Sequence, residues 1–210
     1  KADIGVLMNI TPDHLDRYDY SFEKYAQSKM RITQNQTPSD YFVYSADDET
    51  ILRQLEQHEI EAKELPFMID NYITSESGDA HPAEGEKFVA KVGESSLTID
   101  ISRLKIKGKH NTYNAMAGVL ATLAAGVEPE KIEKSLYDFA AIEHRLEPVG
   151  EKDGIEYIND SKATNVDSAW YALESMTRPT VWIVGGTDKG SSYAPLFDLA
   201  QNKVHTLICM

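Results

Sequence analysis

The stretch "DYFVYSADDETILRQLEQH", Asp40–His58, decides the architecture. Its opening "DYFVYS" is a short aromatic-rich run that ends in polar residues, and it reads as a strand. "DDETILRQLEQH" then places apolar residues at helical spacing behind an acidic start. It reads as a helix, with Asp47 as the expected cap. The segment before it has the same rhythm. Residues 3–10, within "KADIGVLMNI", alternate too little for a half-exposed strand and read as a buried parallel one. After the polar loop "TPDHLDRYDY", Ser21 is the expected N-cap of a helix over "FEKYAQSKMRIT". Strand, helix, strand, helix is the signature of a mostly parallel sheet with helices on both faces, the α/β class.

The rest of the chain extends that plan. From Lys63 to Lys107 the short runs "LPFMI", "KFVAKV" and "SLTIDI" suggest a small antiparallel region, with "SESGDAHPAEGE" as a polar loop. Helices return at "HNTYNAMAGVLATLAAG", closed by Gly126, and at "EPEKIEKSLYDF", with Pro129 in its first turn. A domain boundary is expected near Ile142. Beyond it, "RLEPVGEKDGIEYIND" reads as a hairpin around Asp153-Gly154, and helix, strand "TVWIVGG", helix "YAPLFDLAQ" and a last strand make a second α/β unit.

Composition narrows the function. The 210 residues carry a net charge of −13, which disfavours nonspecific binding to nucleic acid or anionic lipid. It leaves room for a small basic site facing an anionic ligand. Cys209 is the one cysteine, so there is no disulfide framework and a reducing cytoplasm is expected. No apolar run approaches the ~20 residues of a membrane span. The chain opens and closes on strand-like segments, so a piece of a longer protein is expected.

Six places carry side chains suited to chemistry. "NITPDHLDRY", Asn9–Tyr18, follows a strand at the end where α/β sheets bind ligands. His14 and Asp16 could ligate a metal there, or Asp13 could orient His14; a polar turn closed by aspartate caps is the plain alternative. Lys29, in "QSKMRI", reads on its own as an exposed helix lysine. Asn111 and Asn114 share a helix face and could read a ring with donors and acceptors, such as adenine, or serve as cap and turn residues. Arg145, in "EHRLE", could clamp a phosphate or form a structural ion pair. "INDSKATN", Ile158–Asn165, sits between a strand and a helix start with Asp160, Lys162 and Thr164 in a packed polar run. "VGGTDKGSS", Val184–Ser192, offers glycines and Lys189 after another strand. The phosphate-loop pattern G-x-x-x-x-G-K-[ST] is absent, as are G-x-S-x-G, C-x-x-C and H-E-x-x-H.

In this order and spacing, "NITPDHLDRY", "HNTYNA", "EHRLE", "INDSKATN" and "GGTDKGS" resemble the Mur ligase family, specifically its D-glutamate-adding branch. The resemblance spans essentially the whole chain. It implies residues 1–142 as a partial central ATP-binding domain and 143–210 as the first half of a Rossmann-like C-terminal domain. It implies ATP and Mg2+, with UDP-N-acetylmuramoyl-L-alanine and D-glutamate as substrates, in a monomeric cytoplasmic enzyme with no nucleic-acid or membrane partner. His14 corresponds to a magnesium ligand and Lys29 to a lysine that becomes a carbamate, also a metal ligand. Asn9 and Asp13 support the nucleotide–metal site. Asn111 and Asn114 correspond to adenine contacts, Arg145 to a residue near the phosphates, and Asp160 to the ribose-binding acid. Lys162, Thr164 and Lys189 correspond to residues that reach D-glutamate, with His14, Lys29 and Lys162 the catalytic set. The family's N-terminal domain, phosphate loop, a metal-binding glutamate and the distal C-terminal residues are not in the 210 residues, so the chain alone is expected to be inactive. Two other readings stay open: a noncatalytic nucleotide-binding module of the same fold, and a magnesium hydrolase built on Asp13, His14 and Asp16.

Overall fold

The computed structural model describes residues 1–70, 75–106, 108–139, 143–187 and 192–210. The expected boundary at Ile142, and Lys189, lie outside the described residues. The chain divides into two compact units, Lys1–Ile10 with Leu15–Phe139, and Thr11–His14 with Ala140–Met210.

The first unit is built on a six-stranded sheet in the order β1-β2-β3-β4-β5-β6. β1 (Ile4–Leu7), β2 (Tyr41–Ser45), β3 (Lys63–Phe67) and β4 (Gly78–Ala83) pair in parallel, and β5 (Lys87–Val92) and β6 (Ser95–Asp100) continue antiparallel. β2 is the hinge of the packing. Phe42 and Tyr44 point to one face, against α1 (Phe22–Met30) and α2 (Glu49–Leu55), in a core with Leu7, Ala26, Met30 and Ile51. Val43 points to the other, where Leu65, Phe67 and Phe88 pack under α3 (Lys109–Ala124) and α4 (Pro129–Asp138) through Met116, Leu120 and Ile132. Helices therefore cover both faces, as the strand–helix rhythm predicts. Burying an aromatic or aliphatic side chain of this size is worth about 1.5–3 kcal/mol, so the two cores hold the sheet from both sides.

The helix ends follow local chemistry. The Ser21 hydroxyl accepts from the Lys24 amide at 3.3 Å and starts α1, which stops at Met30 rather than running on to Thr33. α3 closes in a Schellman turn: Gly126 N donates to Leu123 O at 2.9 Å and Val127 N to Thr122 O at 3.0 Å, with Gly126 at φ +77°. Pro129 opens α4.

Four expectations need correction. The cap of α2 is Asp48, whose Oδ1 accepts from Ile51 N at 2.8 Å; Asp47 is engaged elsewhere. β1 is four residues long and lies at the sheet edge, with half-buried and buried residues alternating, because one side of it has no neighbouring strand among the described residues. "LPFMI" gives β3, which pairs in parallel with β2 and belongs to the parallel part of the sheet. The segment expected to be the loop "SESGDAHPAEGE" contains β4. Its polar composition masks a strand held by six antiparallel residue pairs to β5 and by Phe67↔Ala80 to β3.

The second unit holds a hairpin and a parallel pair. β7 (Glu147–Lys152) and β8 (Ile155–Asn159) flank Asp153 and Gly154, at φ +54° and +77°. Two successive positive φ values mark the type I′ turn that Asp-Gly favours. α5 (Val166–Ser175) is capped by Asn165, which accepts from Ser168 N at 2.8 Å. β9 (Thr180–Val184) and β10 (Val204–Cys209) pair in parallel, joined through α6 (Phe197–Lys203).

Two stability predictions follow from this geometry. Gly78 sits at φ +132°, and a Cβ there would lie 1.9 Å from Lys91 O. Gly78→Ala is expected to cost more than the ~1–3 kcal/mol of backbone strain alone, whereas Gly85→Ala, in open space at φ +75°, meets the strain only. Equal shifts in denaturant midpoint for the two variants would contradict the close approach. The second concerns Asp40, buried at the start of β2. Burial pushes its carboxyl up, but hydrogen bonds from Thr37 and Lys1 outweigh burial and hold it below its ordinary value. A depressed folded pKa contributes stability above the unfolded value of about 4, and that stability fades as pH falls through the folded value. Asp40→Asn is therefore expected to melt lower near neutrality and to lose less between pH 5 and pH 3 than the parent.

Candidate nucleotide and substrate site

Parallel strands bring their carboxyl ends to one edge of the sheet, and in the first unit that edge is polar. The Asp47-Asp48 pair leaves β2 there. Asp48 Oδ2 accepts from Ile10 N at 2.9 Å while its other oxygen caps α2, so one carboxylate ties the loop after β1 to a helix start. Asp47 Oδ2 accepts from Ile69 N at 2.6 Å, Asp70 N at 3.0 Å and the Tyr113 hydroxyl at 2.6 Å. It joins the end of β3 to the first turns of α3.

That helix start carries Asn111 and Asn114. Asn114 Nδ2 donates to Asn111 Oδ1 at 3.3 Å, so the two amides stand side by side. The cap position belongs to Gly108, with no side-chain bond, which removes the capping explanation for Asn111. Lys109 pairs with Asp70 at 2.6 Å beside them. Asn9 is exposed just past β1.

Lys29 is exposed in the last turn of α1, with its ammonium 4.8 Å from the Tyr25 ring centroid. This cation–π contact belongs to the charged amine; a carbamate would give it up.

His14 lies in the segment grouped with the second unit, so His14 and Lys29 are not brought into one unit. His14 has φ +51°, its amide donates to Asp13 Oδ1 at 2.9 Å, and its Nε2 stands 3.6 Å from Asp13 Oδ2. Asp16 is exposed in the first turn of the following 3-10 helix, Leu15–Tyr18. Among the described residues no three His, Cys, Asp or Glu side chains cluster as a metal cage. Mg2+ takes oxygen ligands and keeps several waters, so the Asp13 and Asp16 carboxylates of this segment suit it and His14 by itself does not define a magnesium site.

In the second unit "EHRLE" and "INDSKATN" meet. Lys162 N donates to His144 O at 3.1 Å, and Leu146 N to Asp160 Oδ1 at 3.0 Å. Asn159 Nδ2 reaches His144 Nδ1 at 2.7 Å while its Oδ1 accepts from Ser161 N at 3.2 Å. The amide donates there, so the ring accepts at Nδ1 and holds its proton on Nε2. Glu147 Oε2 accepts from His144 N at 2.7 Å. The reason for so many ties is the backbone: His144 and Leu146 stand at φ +67° and +44°. Such residues cost about 1–3 kcal/mol each and persist only when neighbours over-determine them. Arg145 sits between them, exposed and without an ion-pair partner among the described residues. Lys162 and Thr164 are exposed on the facing turn.

Comparison with known proteins gives the family. Residues 1–122 match the Mur ligase middle domain, and residues 144–210 match the Mur ligase glutamate ligase domain. The chain belongs to the Mur ligase family. A curated relative in Christiangramia forsetii, UDP-N-acetylmuramoylalanine--D-glutamate ligase, is 46% identical over all of the chain. The chain spans 46% of that protein's length, about half of the curated relatives it matches. MurF from Acinetobacter baumannii shares the fold at a TM-score of 0.71 and 21% identity, over 99% of this chain and 46% of that one. MurF ligase from Thermotoga maritima, solved with ADP, does so at 0.67 and 15%, over 99% of this chain and 52% of that one.

Sequence reasoning missed Asp47, Asp48 and Tyr113 as the polar ties at the carboxyl ends of β2 and β3. The available signal was a doubled aspartate at the carboxyl end of a strand, where one carboxylate suffices for a cap. It also missed the ring–amide pair of His144 and Asn159, which lie 15 residues apart.

Removing that pair tests the strained turn. Asn159→Ala deletes the bonds to His144 and Ser161, each worth about 1 kcal/mol. Amide exchange at Leu146 and Lys162 is expected to quicken about fivefold or more, while exchange within β9 and β10 stays as it was.

Proposed function

We propose that the protein carrying this chain joins D-glutamate to UDP-N-acetylmuramoyl-L-alanine with ATP, as a monomeric cytoplasmic enzyme of cell-wall synthesis. The observation that carries the reading is the stapled turn of the second unit. The backbone on either side of Arg145 is tied to the "INDSKATN" turn through His144–Lys162 and Leu146–Asp160, which brings an exposed arginine and an exposed lysine onto neighbouring segments. Family membership, the name of the 46% identical relative and the ADP in a structure of the same fold support the same assignment.

In this reading Asn111 and Asn114 take the adenine, Asp160 the ribose, and Arg145 the phosphates through its planar fork. Lys162, Thr164 and Lys189 orient D-glutamate. His14 and a carbamate on Lys29 would hold Mg2+, with Asn9 and Asp13 in support; the ion offsets charge on phosphoryl oxygens when bound. The muramoyl-peptide carboxylate displaces ADP from the γ-phosphorus and becomes an acyl phosphate. The D-glutamate amine then attacks the acyl carbon, phosphate leaves, and the amine proton passes to solvent or a nearby base. The residues described here bind and position, and effective positioning of two reactants can supply about 7–11 kcal/mol.

The 210 residues contain no G-x-x-x-x-G-K-[ST] loop, so the chain by itself is expected to release no phosphate. Phosphate release by the full-length protein is expected to require ATP, UDP-N-acetylmuramoyl-L-alanine and D-glutamate together, and to fail with L-glutamate. Release independent of D-glutamate would overturn the ligase reading in favour of a hydrolase. Turnover by the 210 residues alone would overturn the assignment of phosphate binding to another part of the protein.

A further inference from the structure

We propose that Asp47 is a positioning residue for base recognition, setting the first turns of α3, and with them Asn111 and Asn114, through the Tyr113 hydroxyl. The inference rests on the reading of Asn111 and Asn114 as adenine contacts and extends it to the carboxylate that holds the tyrosine between them.

Three observations carry it. First, α3 starts without a side-chain cap. Gly108 at φ +97° occupies that position, and the opening turn has its Asn111 and Thr112 amides on Gly108 O at 3.0 and 3.1 Å. A helix start held this way frays unless something outside it fixes its place. Second, Tyr113 stands between the two asparagines in sequence, and its phenol donates to a carboxylate oxygen at 2.6 Å. A short O–H···O⁻ bond of this kind is among the strong ones. The neighbouring Lys109–Asp70 pair is solvent-exposed at 44% and 63% and contributes little. Third, the same Asp47 oxygen takes the Ile69 and Asp70 amides. Asp47 thus anchors to the end of β3, follows directly from β2, and extends that rigid frame to α3. The Tyr113 ring lies 6.1 Å from the Phe67 ring at the end of β3, which limits how the phenol can swing.

The consequence is geometric. Two side-by-side amides that read one base need a fixed spacing and tilt relative to it. Loss of the Asp47–Tyr113 tie should therefore weaken discrimination between bases more than it weakens catalysis.

The test uses the full-length protein with Asp47→Asn, Tyr113→Phe, the double variant and Asn111→Ala. Steady-state rates are measured with ATP and with GTP, at varied D-glutamate. Tyr113→Phe keeps both backbone bonds to Asp47 and so is the arm least exposed to misfolding. The expected result is a rise of about tenfold in the KM for ATP in Asp47→Asn and about fivefold in Tyr113→Phe. The preference for ATP over GTP should fall by a similar factor, with kcat changed less than about threefold and the KM for D-glutamate unmoved. The double variant should be no worse than Asp47→Asn. A purely structural role would lower activity with both nucleotides alike and leave their ratio intact, and that result overturns the proposal. If Asn111→Ala leaves the ATP/GTP ratio at the parent value, the adenine reading itself fails. If Asn111→Ala changes the ratio and Tyr113→Phe does not, that reading stands and the positioning role of Asp47 falls.

Discussion

A strand buried on both faces is the constraint around which the first unit is arranged. Phe42 and Tyr44 need one apolar cover and Val43 another, so two helix layers are required. The backbone of β2 also needs partners on both sides, because unpaired amides in such a setting cost as much as lost hydrogen bonds. β1 and β3 provide them. The strand must then leave the core at its carboxyl end, where the first side chains free of the packing are Asp47 and Asp48. Neither is spent on solvent. One ties down the loop after β1 and starts α2, and the other links β3 to α3. The apolar demand of three residues thus fixes where the polar chemistry sits.

In the proposed reading an acidic chain meets anionic ligands, and it must do so locally. With a net charge of −13, the average surface repels phosphate, but repulsion between exposed charges is screened beyond about 8 Å at physiological salt. What matters is the few cations within that range. Arg145 and Lys162 lie on two segments tied by direct backbone and carboxylate bonds, and Arg145 is flanked by backbone in a rarely occupied region. Strain of this kind in a loop has a positional result: it keeps a long side chain's root from wandering, which reduces the entropy lost when the guanidinium engages a ligand.

The parts legible in the sequence are those governed by neighbours along the chain. Helix periodicity, the Ser21 cap, the Gly126 stop, the Asp153-Gly154 turn and the α/β rhythm are local effects, and they stand as read. The motif residues were legible as candidates, since unusual runs of polar side chains at strand ends are visible without a structure. What escaped depends on distant partners. Asp47 looks as good a cap as Asp48 until Ile69, Asp70 and Tyr113 compete for it. β4 has Asp, His and Pro in six residues and reads as loop; pairing with β5 makes it a strand. The His144–Asn159 contact spans a hairpin, and nothing in either segment alone announces it.

The parallel and antiparallel halves of the sheet meet at β4, where the parallel side rests on the one residue pair Phe67↔Ala80 and the Met68–Ala80 bond. The pairing seam there is narrow. The meander β4–β5–β6 is zipped by local hairpins, and its register is set within itself, while β1–β3 take theirs from the helices packed on either face. The core does not divide there: Phe88, Ala90 and Ile99 of the meander pack with Val43, Leu65 and Phe67 under α3, so the outer strands help to seat the helix that carries Asn111 and Asn114.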